Sequence, residues 1–335
     1  MAYLYLSEQG AYLGISENKF EVRKQGVILD RIPIETIEVI EIFGNVQIST
    51  QCMTRCLRDG IDIIFFSLHG SYFGRLISTN HVNTSRQRNQ SVCTKDADFA
   101  LTICKNIVAA KINNQMIIAR RYNRNKSKVD LSQFNRNVNA AIKTVQRCTS
   151  VNQVIGHEGF AAKEYFRVLA ELIDPDFKFT GRNKRPPKDP FNSLISFGYS
   201  LLINEIYGKI ELKCLNPFWG FIHQDHEKHP TLASDLIEEW RAVVVDSLAL
   251  SCINGHEIKK DSFEISELNN GVYLNKDGFR FFVDKFEKKM NTKSKYLDYV
   301  DYSLSFRQAI DLQVGRLAKS IDTGKPDFYH PIRLR

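Results

Sequence analysis

The chain has 335 residues, enough for two domains that each bury a core. It is 43% hydrophobic and 25% charged, and no apolar run reaches the roughly 20 residues a membrane span needs, so no membrane partner is expected. The formal net charge of +8 points to an anionic partner, with nucleic acid foremost.

Met1 to Gly10 lacks the basic start and apolar core of a secretory leader. From Tyr3 to Leu76 the pattern is mostly strand. The runs Tyr3 to Leu6, Ala11 to Ile15, Phe20 to Lys24, Val27 to Pro33 and Ile37 to Phe43 are β-branched or aromatic, with turn residues between them. Ser49 to Leu57 changes period and reads as a short helix, capped by Ser49 or Thr50 and ended by Asp59-Gly60. Cys52 and Cys56 lie one helical turn apart in it, a spacing that suits packing better than zinc. The seven cysteines are scattered and odd in number, which fits reduced thiols and a cytoplasmic location. Ile61 to Ser67 reads as a strand buried on both faces, and Tyr72 to Leu76 as its neighbour after a turn.

The expected organisation is a β-rich domain over residues 1–80, a polar linker over 81–90 and a helical domain over 91–335, an α+β fold. Asp98 to Tyr122 is a helix that runs into Arg120-Arg121-Tyr122-Asn123-Arg124-Asn125-Lys126-Ser127-Lys128. That run suits phosphate contacts, with Tyr122 available to stack on a base or ribose; an exposed interhelical loop reads equally well. A helix over Gln133 to Arg147 follows. Next comes Gly156-His157-Glu158-Gly159 inside a helical pattern. Interior glycines each cost about 1 kcal/mol relative to alanine, so a ligand or another stretch of backbone is expected close by. Gly181 to Pro190 is a rigid basic loop with Arg182, Lys184 and Arg185. Asp189 then caps an apolar central helix that opens with Pro190.

Pro217 to Ile222 is apolar and leads into His223. A polar loop with His226 and His229 follows, then a helix expected over Leu232 to Ile253. Asp235 precedes Glu238 by three residues and Glu239 by four, so all three carboxylates are expected on one helical face. A histidine entering the loop and carboxylates leaving it suit a divalent cation that prefers oxygen ligands with an occasional imidazole. The same acids would also sit well at a helix N-terminus, where the dipole favours negative charge. Helices over Gly278 to Met290 and Leu304 to Ile321 complete the pattern, and the tail from Phe328 has no evident element.

Taken together, these motifs resemble the CRISPR adaptation integrase family, the first core CRISPR-associated protein. The matching residues are Gly156-His157-Glu158-Gly159 with Tyr165-Phe166, and Arg185-Pro186-Pro187-Lys188-Asp189-Pro190-Phe191-Asn192 with Ser196 to Tyr199. They continue with Gly220-Phe221-Ile222-His223 and with Leu232 to Arg241 and Asp246; Gln313 and Tyr329 to Arg335 are lesser matches. The resemblance runs from end to end, so no additional fused domain is expected.

The resemblance implies that Glu158, His223 and Glu238 bind the catalytic metal, Mg²⁺ or Mn²⁺, with Asp235 an auxiliary acid. The imidazole tilts the choice toward Mn²⁺. Where many relatives carry a glycine-rich or arginine-bearing loop after the histidine, this chain has Asp225 to His229. A separate site made of His223, His226 and His229 is the rival, and it leaves Glu158 and Glu238 without a purpose. The implied chemistry is attack of a DNA 3′-hydroxyl on a phosphodiester, inserting spacers into a CRISPR array; with water as nucleophile the same site is an endonuclease. Arg120, Arg121, Arg124, Lys126, Arg182, Lys184 and Arg185 are the expected DNA-backbone contacts. The resemblance also implies a homodimer joined through the β-rich domain, and assembly with the ferredoxin-fold second core adaptation protein. A branched-DNA nuclease without integration and a non-catalytic DNA-binding scaffold are the alternatives.

Overall fold

The period change near residue 80 marks a structural division. The computed structural model describes the chain except for residues 1, 79–81, 127–128, 178, 224–226, 228, 296–299 and 335 and the side chains of 125–126. Two compact units form, Met1–Val82 and Asn83–Arg335. Strands fill the first and helices the second, so the fold is α+β.

In the first unit, β1 (Ala2–Leu6), β2 (Tyr12–Ser16), β3 (Lys19–Lys24), β4 (Val27–Pro33), β5 (Ile37–Phe43) and β6 (Gln47–Ile48) precede helix α1 (Thr50–Asp59). Strands β7 (Asp62–Phe66) and β8 (Tyr72–Leu76) follow it. They build two four-stranded sheets, ordered β1-β5-β7-β8 and β4-β3-β2-β6. Strand β5 runs parallel to both β1 and β7, consistent with its nearly continuous burial. Ser49 caps α1 by accepting the Cys52 N–H, and Gly60 ends it at φ 72°, a conformation glycine adopts without a Cβ penalty. The amphipathic period of α1 turns Cys52 and Cys56 inward, where both thiols pack with Leu13, Phe20, Ile40 and Ile63.

The second unit begins earlier than the sequence suggests. Most of the stretch read as a linker lies in helix α2 (Thr84–Lys95). This helix buries only Gln90 and Cys93, so its hydrophobic pattern is too weak to read. Polar anchors hold it instead: the Asn83 cap, Gln90 donating to the Asn216 and Trp219 carbonyls, and Arg86 paired with Asp322. The 30-residue α3 (Ala97–Lys126) packs on α4 (Ser132–Arg147), α5 (Val151–Leu172) and the segment around 237–246. Asp189 accepts the Asn192 N–H and Pro190 opens α6 (Pro190–Leu212), which is buried nearly all round.

A helical run from Thr231 to Asn254 follows, but it is not one α-helix. It consists of α7 (Thr231–Leu236), a 3-10 turn (Ile237–Glu239), a π-helical turn (Arg241–Asp246) and α8 (Ser247–Asn254). Two short hairpins, β9 (Phe263–Ile265) with β10 (Val272–Leu274) and β11 (Lys293–Ser294) with β12 (Leu304–Ser305), flank α9 (Lys276–Asn291). Helix α10 (Phe306–Thr323) carries a full capping box between Ser305 and Gln308. Among the described residues, no helix is long and apolar enough to cross a membrane.

Candidate metal centre

The site starts at the loop before α7. The buried Asp235 carboxylate points back under that loop: its Oδ2 accepts the N–H of Phe221 at 2.6 Å and of Ile222 at 3.0 Å. Its Oδ1 accepts the His223 N–H at 3.1 Å and meets His223 Nδ1 at 2.6 Å. Gly220 makes room for this. A Cβ there would stand 2.6 Å from Asp235 Oδ2 and 3.0 Å from the Thr231 backbone. The hydrogen bond to Asp235 raises the His223 pKa against the opposing effect of burial, and the Glu238 charge adds to the rise. With Nδ1–H given to Asp235, Nε2 carries the ring's lone pair, and the side chain is 42% exposed.

Glu238 and Glu158 come together from different elements. Glu238 sits on the 3-10 turn and Glu158 on α5, and both contact the Nζ of Lys111 on α3. Arg241 Nη1 holds the second Glu238 oxygen at 2.7 Å. Burial would raise the Glu238 pKa, but Arg241 and Lys111 outweigh it and hold it down at about 2. Burial likewise works against the Lys111 charge, and Glu238 and Glu158 overcome it, so the ammonium persists.

The three acids of this run do not share a face. Asp235 serves the His223 loop and Glu238 faces α3 and α5. Glu239 turns to the C-terminal tail, accepting from Tyr329 Oη and, at 2.8 Å, from the Ile332 N–H. The departure from α-helical winding at Ile237 redirects the side chains, and spacing alone does not reveal it. Burial pushes the Glu239 pKa up to about 8. For the glycines beside Glu158, the structure answers only the backbone half of the expectation. Among the described residues, and apart from the adjoining residues and backbone of α5 itself, no atom lies within 4 Å of where a Cβ would stand on Gly156 or Gly159. No other described part of the chain approaches them closely, and together with the 47%-exposed Phe160 they leave that face of α5 open among the described residues.

A cleft of about 770 Å³ opens beside this cluster. Lys111, Lys163, Arg167, Arg182, Lys184, Arg185 and Arg241 line it, and Glu158 is the one acid among the described lining residues. Burial lowers the pKa of Lys184, and the neighbouring Arg241 and Arg182 lower it further. Arg182 and Arg241 lie over the Tyr199 ring, 5.6 and 5.0 Å from its centroid. Of the expected DNA contacts, Arg182, Lys184 and Arg185 therefore flank Glu158. Arg120, Arg121 and Arg124 lie on the last turns of α3 and are not among the cleft's lining residues, and the Lys126 side chain lies outside the described residues. Arg120 donates to Asn135 at 2.8 Å. Tyr122 is not available for stacking: its hydroxyl donates to the Ser247 carbonyl at 2.5 Å, and burial raises its pKa to about 12.

Sequence reasoning missed Lys111, and it placed Arg241 in a matching motif without giving it a role. Lys111 stands in an otherwise apolar stretch of α3, a position where a lysine needs a buried partner, and that is the signal that could have found it. The donor set suits a hard or borderline divalent ion: two carboxylates aimed at one cationic point and a histidine oriented through its other nitrogen. Glu238 Oε2 is buried against the Lys111 ammonium. Among the described residues, no three His, Cys, Asp or Glu side chains are drawn together as a ready cage. In the rival histidine loop, His226 lies outside the described residues and His229 Nε2 meets Ser234 Oγ at 3.0 Å.

Comparison with known proteins follows the same lines. The family model described as "CRISPR associated protein Cas1" matches residues 4–288. The chain is 33% identical over 334 residues to a CRISPR-associated endonuclease Cas1 of Mycobacterium tuberculosis (strain CDC 1551 / Oshkosh), covering 100% of this chain and 96% of that protein. In fold it is similar to a chain of a "Cas6-RT-Cas1--Cas2 complex", with a TM-score of 0.85 and 24% identity. That match covers all of this chain but only 36% of the longer polypeptide. It is also similar to a "Casposase bound to integration product", with a TM-score of 0.85, 20% identity and coverage of 97% of this chain and 92% of that one. The chain belongs to the Cas1 family of CRISPR-associated proteins.

Proposed function

We propose that the protein is a metal-dependent DNA integrase and endonuclease of CRISPR adaptation, with its catalytic centre at Glu158, His223 and Glu238. The observation that carries this reading is the convergence of Glu158 and Glu238 on one cationic point at the edge of a basic cleft. Mg²⁺ or Mn²⁺, when bound, supplies charge neutralisation at the attacked phosphate and aligns the nucleophile.

The chain's own residues do the rest. Glu158 and Glu238 provide anionic oxygens from two separate elements, so the site spans the gap where a strand would enter. Asp235 fixes the His223 loop and keeps its Nε2 turned outward. Lys184 and Arg185 present positive charge along the cleft, where phosphates are held without reading sequence. The 3′-hydroxyl oxygen gives up its proton to solvent and forms a new bond to phosphorus as the target's phosphodiester bond breaks, and the departing oxygen takes up a proton from solvent, so protons balance. One phosphodiester replaces another, which requires no oxidant or reductant.

The names of the relatives support this class: one is an endonuclease and another a casposase bound to an integration product. A small partner protein is part of the proposal, since a structural neighbour is titled as a complex with Cas2. Self-association of the β-rich unit is proposed on the family resemblance, as is a cytoplasmic setting.

The test is Glu158→Ala in parallel strand-transfer, cleavage and DNA-binding assays. Transfer and cleavage are expected to vanish while DNA affinity stays near the parent's, because removing an anion facing a polyanion does not weaken binding. Full metal-dependent activity in the variant would overturn the assignment. DNA binding without metal-dependent chemistry in the parent would leave a scaffold.

A further inference from the structure

We propose that Lys111 is a built-in placeholder for the metal: its ammonium occupies the point between Glu158 and Glu238 and must leave before a divalent ion binds. The inference rests on the metal-site reading above and adds a determinant of metal affinity that lies outside the ligand set.

The geometry is specific. Lys111 projects from the middle of α3 with its side chain only 8% exposed, and its Nζ contacts Glu158 Oε1 and Glu238 Oε2 together. Lysine is rarely buried to this degree without paired acids, and here it pairs with both proposed carboxylate ligands. Without it, Glu158 and Glu238 would face each other with Arg241 paired to Glu238 and the cations of the cleft beside them, but with no cation shared between the two carboxylates in these contacts. With a divalent ion between the same oxygens, the ammonium would be a like charge in a poorly screened site. The two cations are therefore alternatives.

The exit is also built. Lys111 lines the cleft, and its four-carbon stem lets the ammonium swing toward it while the helix stays in place. The cleft already holds Arg182, Lys184 and Arg185, so the displaced charge would add to a surface suited to phosphate. Metal loading would then release Lys111 from its acids and present it to the DNA strand.

Lys111→Met tests this, because methionine keeps an unbranched stem and removes the charge. Mn²⁺ titrated calorimetrically into the metal-free variant is expected to bind about tenfold more tightly than into the parent, or tighter still. The metal-free variant is expected to unfold at a lower temperature, with Mn²⁺ raising its Tm by more than in the parent. A merely structural lysine predicts the opposite sign, a disorganised site with weaker Mn²⁺ binding. Lys111→Arg, which keeps the charge, is expected to bind no more tightly than the parent.

Unchanged or weaker binding by Lys111→Met would overturn the proposal. A crystal structure of the unmodified protein with Mn²⁺ gives a test that does not depend on the variant folding. Lys111 Nζ is expected to have left the carboxylates, and Nζ still touching both would overturn the inference. Glu238→Gln separates the two levels. If it binds Mn²⁺ like the parent, the metal site itself is wrong. If it loses Mn²⁺ while Lys111→Met matches the parent, only the placeholder role fails.

Discussion

Asp235 Oδ1 meets both the backbone N–H of His223, at 3.1 Å, and its ring Nδ1, at 2.6 Å. One oxygen thus fixes the chain and the ring of the same residue, while the other oxygen holds the two residues before it.

Asp235→Asn breaks that arrangement without changing volume. An amide NH₂ would face donors on one side, so at least one buried N–H loses its acceptor. The expected loss of stability is about 1–3 kcal/mol. Metal-dependent strand transfer is expected to fall about 10–100-fold as the His223 ring loses its orientation. Urea unfolding and a transfer assay check both, and parental activity in the variant would contradict the positioning role.

Asp246 gives a pH signature. It is buried, and burial raises its pKa from 3.8 to about 6, although Tyr199 and Tyr165 donate hydrogen bonds to it. The folded chain therefore keeps a proton that the unfolded chain releases. Stability from this group is intact below 3.8, falls as pH rises toward 6 and stays lost above it. The loss amounts to about 3 kcal/mol. Glu238 has the opposite sign: its pKa is lowered from 4.5 to about 2, so its contribution is present above 4.5 and is lost as pH falls toward 2. Asp246→Asn removes only the first effect. Relative to the parent, the variant is expected to gain about 3 kcal/mol between about pH 4 and about pH 7, read by urea unfolding. A difference between the two proteins that does not change with pH would contradict this.

Lys184 and Arg185 line the cleft as positive charges among other positive charges. Replacing both with alanine is expected to weaken DNA binding equally across unrelated sequences. The slope of log affinity against log salt is expected to flatten by about one per lost phosphate contact. Arg120→Ala is expected to change the slope less, since its guanidinium already donates to Asn135. Anisotropy titrations at several salt concentrations measure both. An unchanged slope for the double variant would remove the cleft from the DNA path.

Much of this architecture is legible in the sequence because it depends on local chemistry. The alternating strands up to Leu76, the Ser49 and Asp189 caps and the apolar α6 each follow from short-range pattern. Helix α2 was hidden because polar anchors hold it in place of an apolar stripe. The change of winding after Leu236 was hidden because tertiary demands set it: Glu238 is drawn to Lys111 while Glu239 is drawn to Tyr329 and Ile332. The tail after Phe328 has no periodicity, yet Tyr329 and Ile332 are buried, and Asn114 donates to the Ile332 carbonyl at 3.0 Å. Within the proposed site, Glu158, His223 and Glu238 stand in motifs that the sequence displays. Lys111 betrays itself only as a lysine in an apolar stretch of α3; that its partners are Glu158 and Glu238 emerges only once the helices are packed.

The most direct measurement is an anomalous-difference map from crystals of the protein grown or soaked with Mn²⁺. The expected result is a single strong peak in the helical unit, within about 2.5 Å of a Glu158 oxygen, a Glu238 oxygen and His223 Nε2. A peak on the His223 to His229 loop without either glutamate, or a fully ordered site with no peak at saturating Mn²⁺, would contradict the assignment of Glu158, His223 and Glu238 as the metal centre.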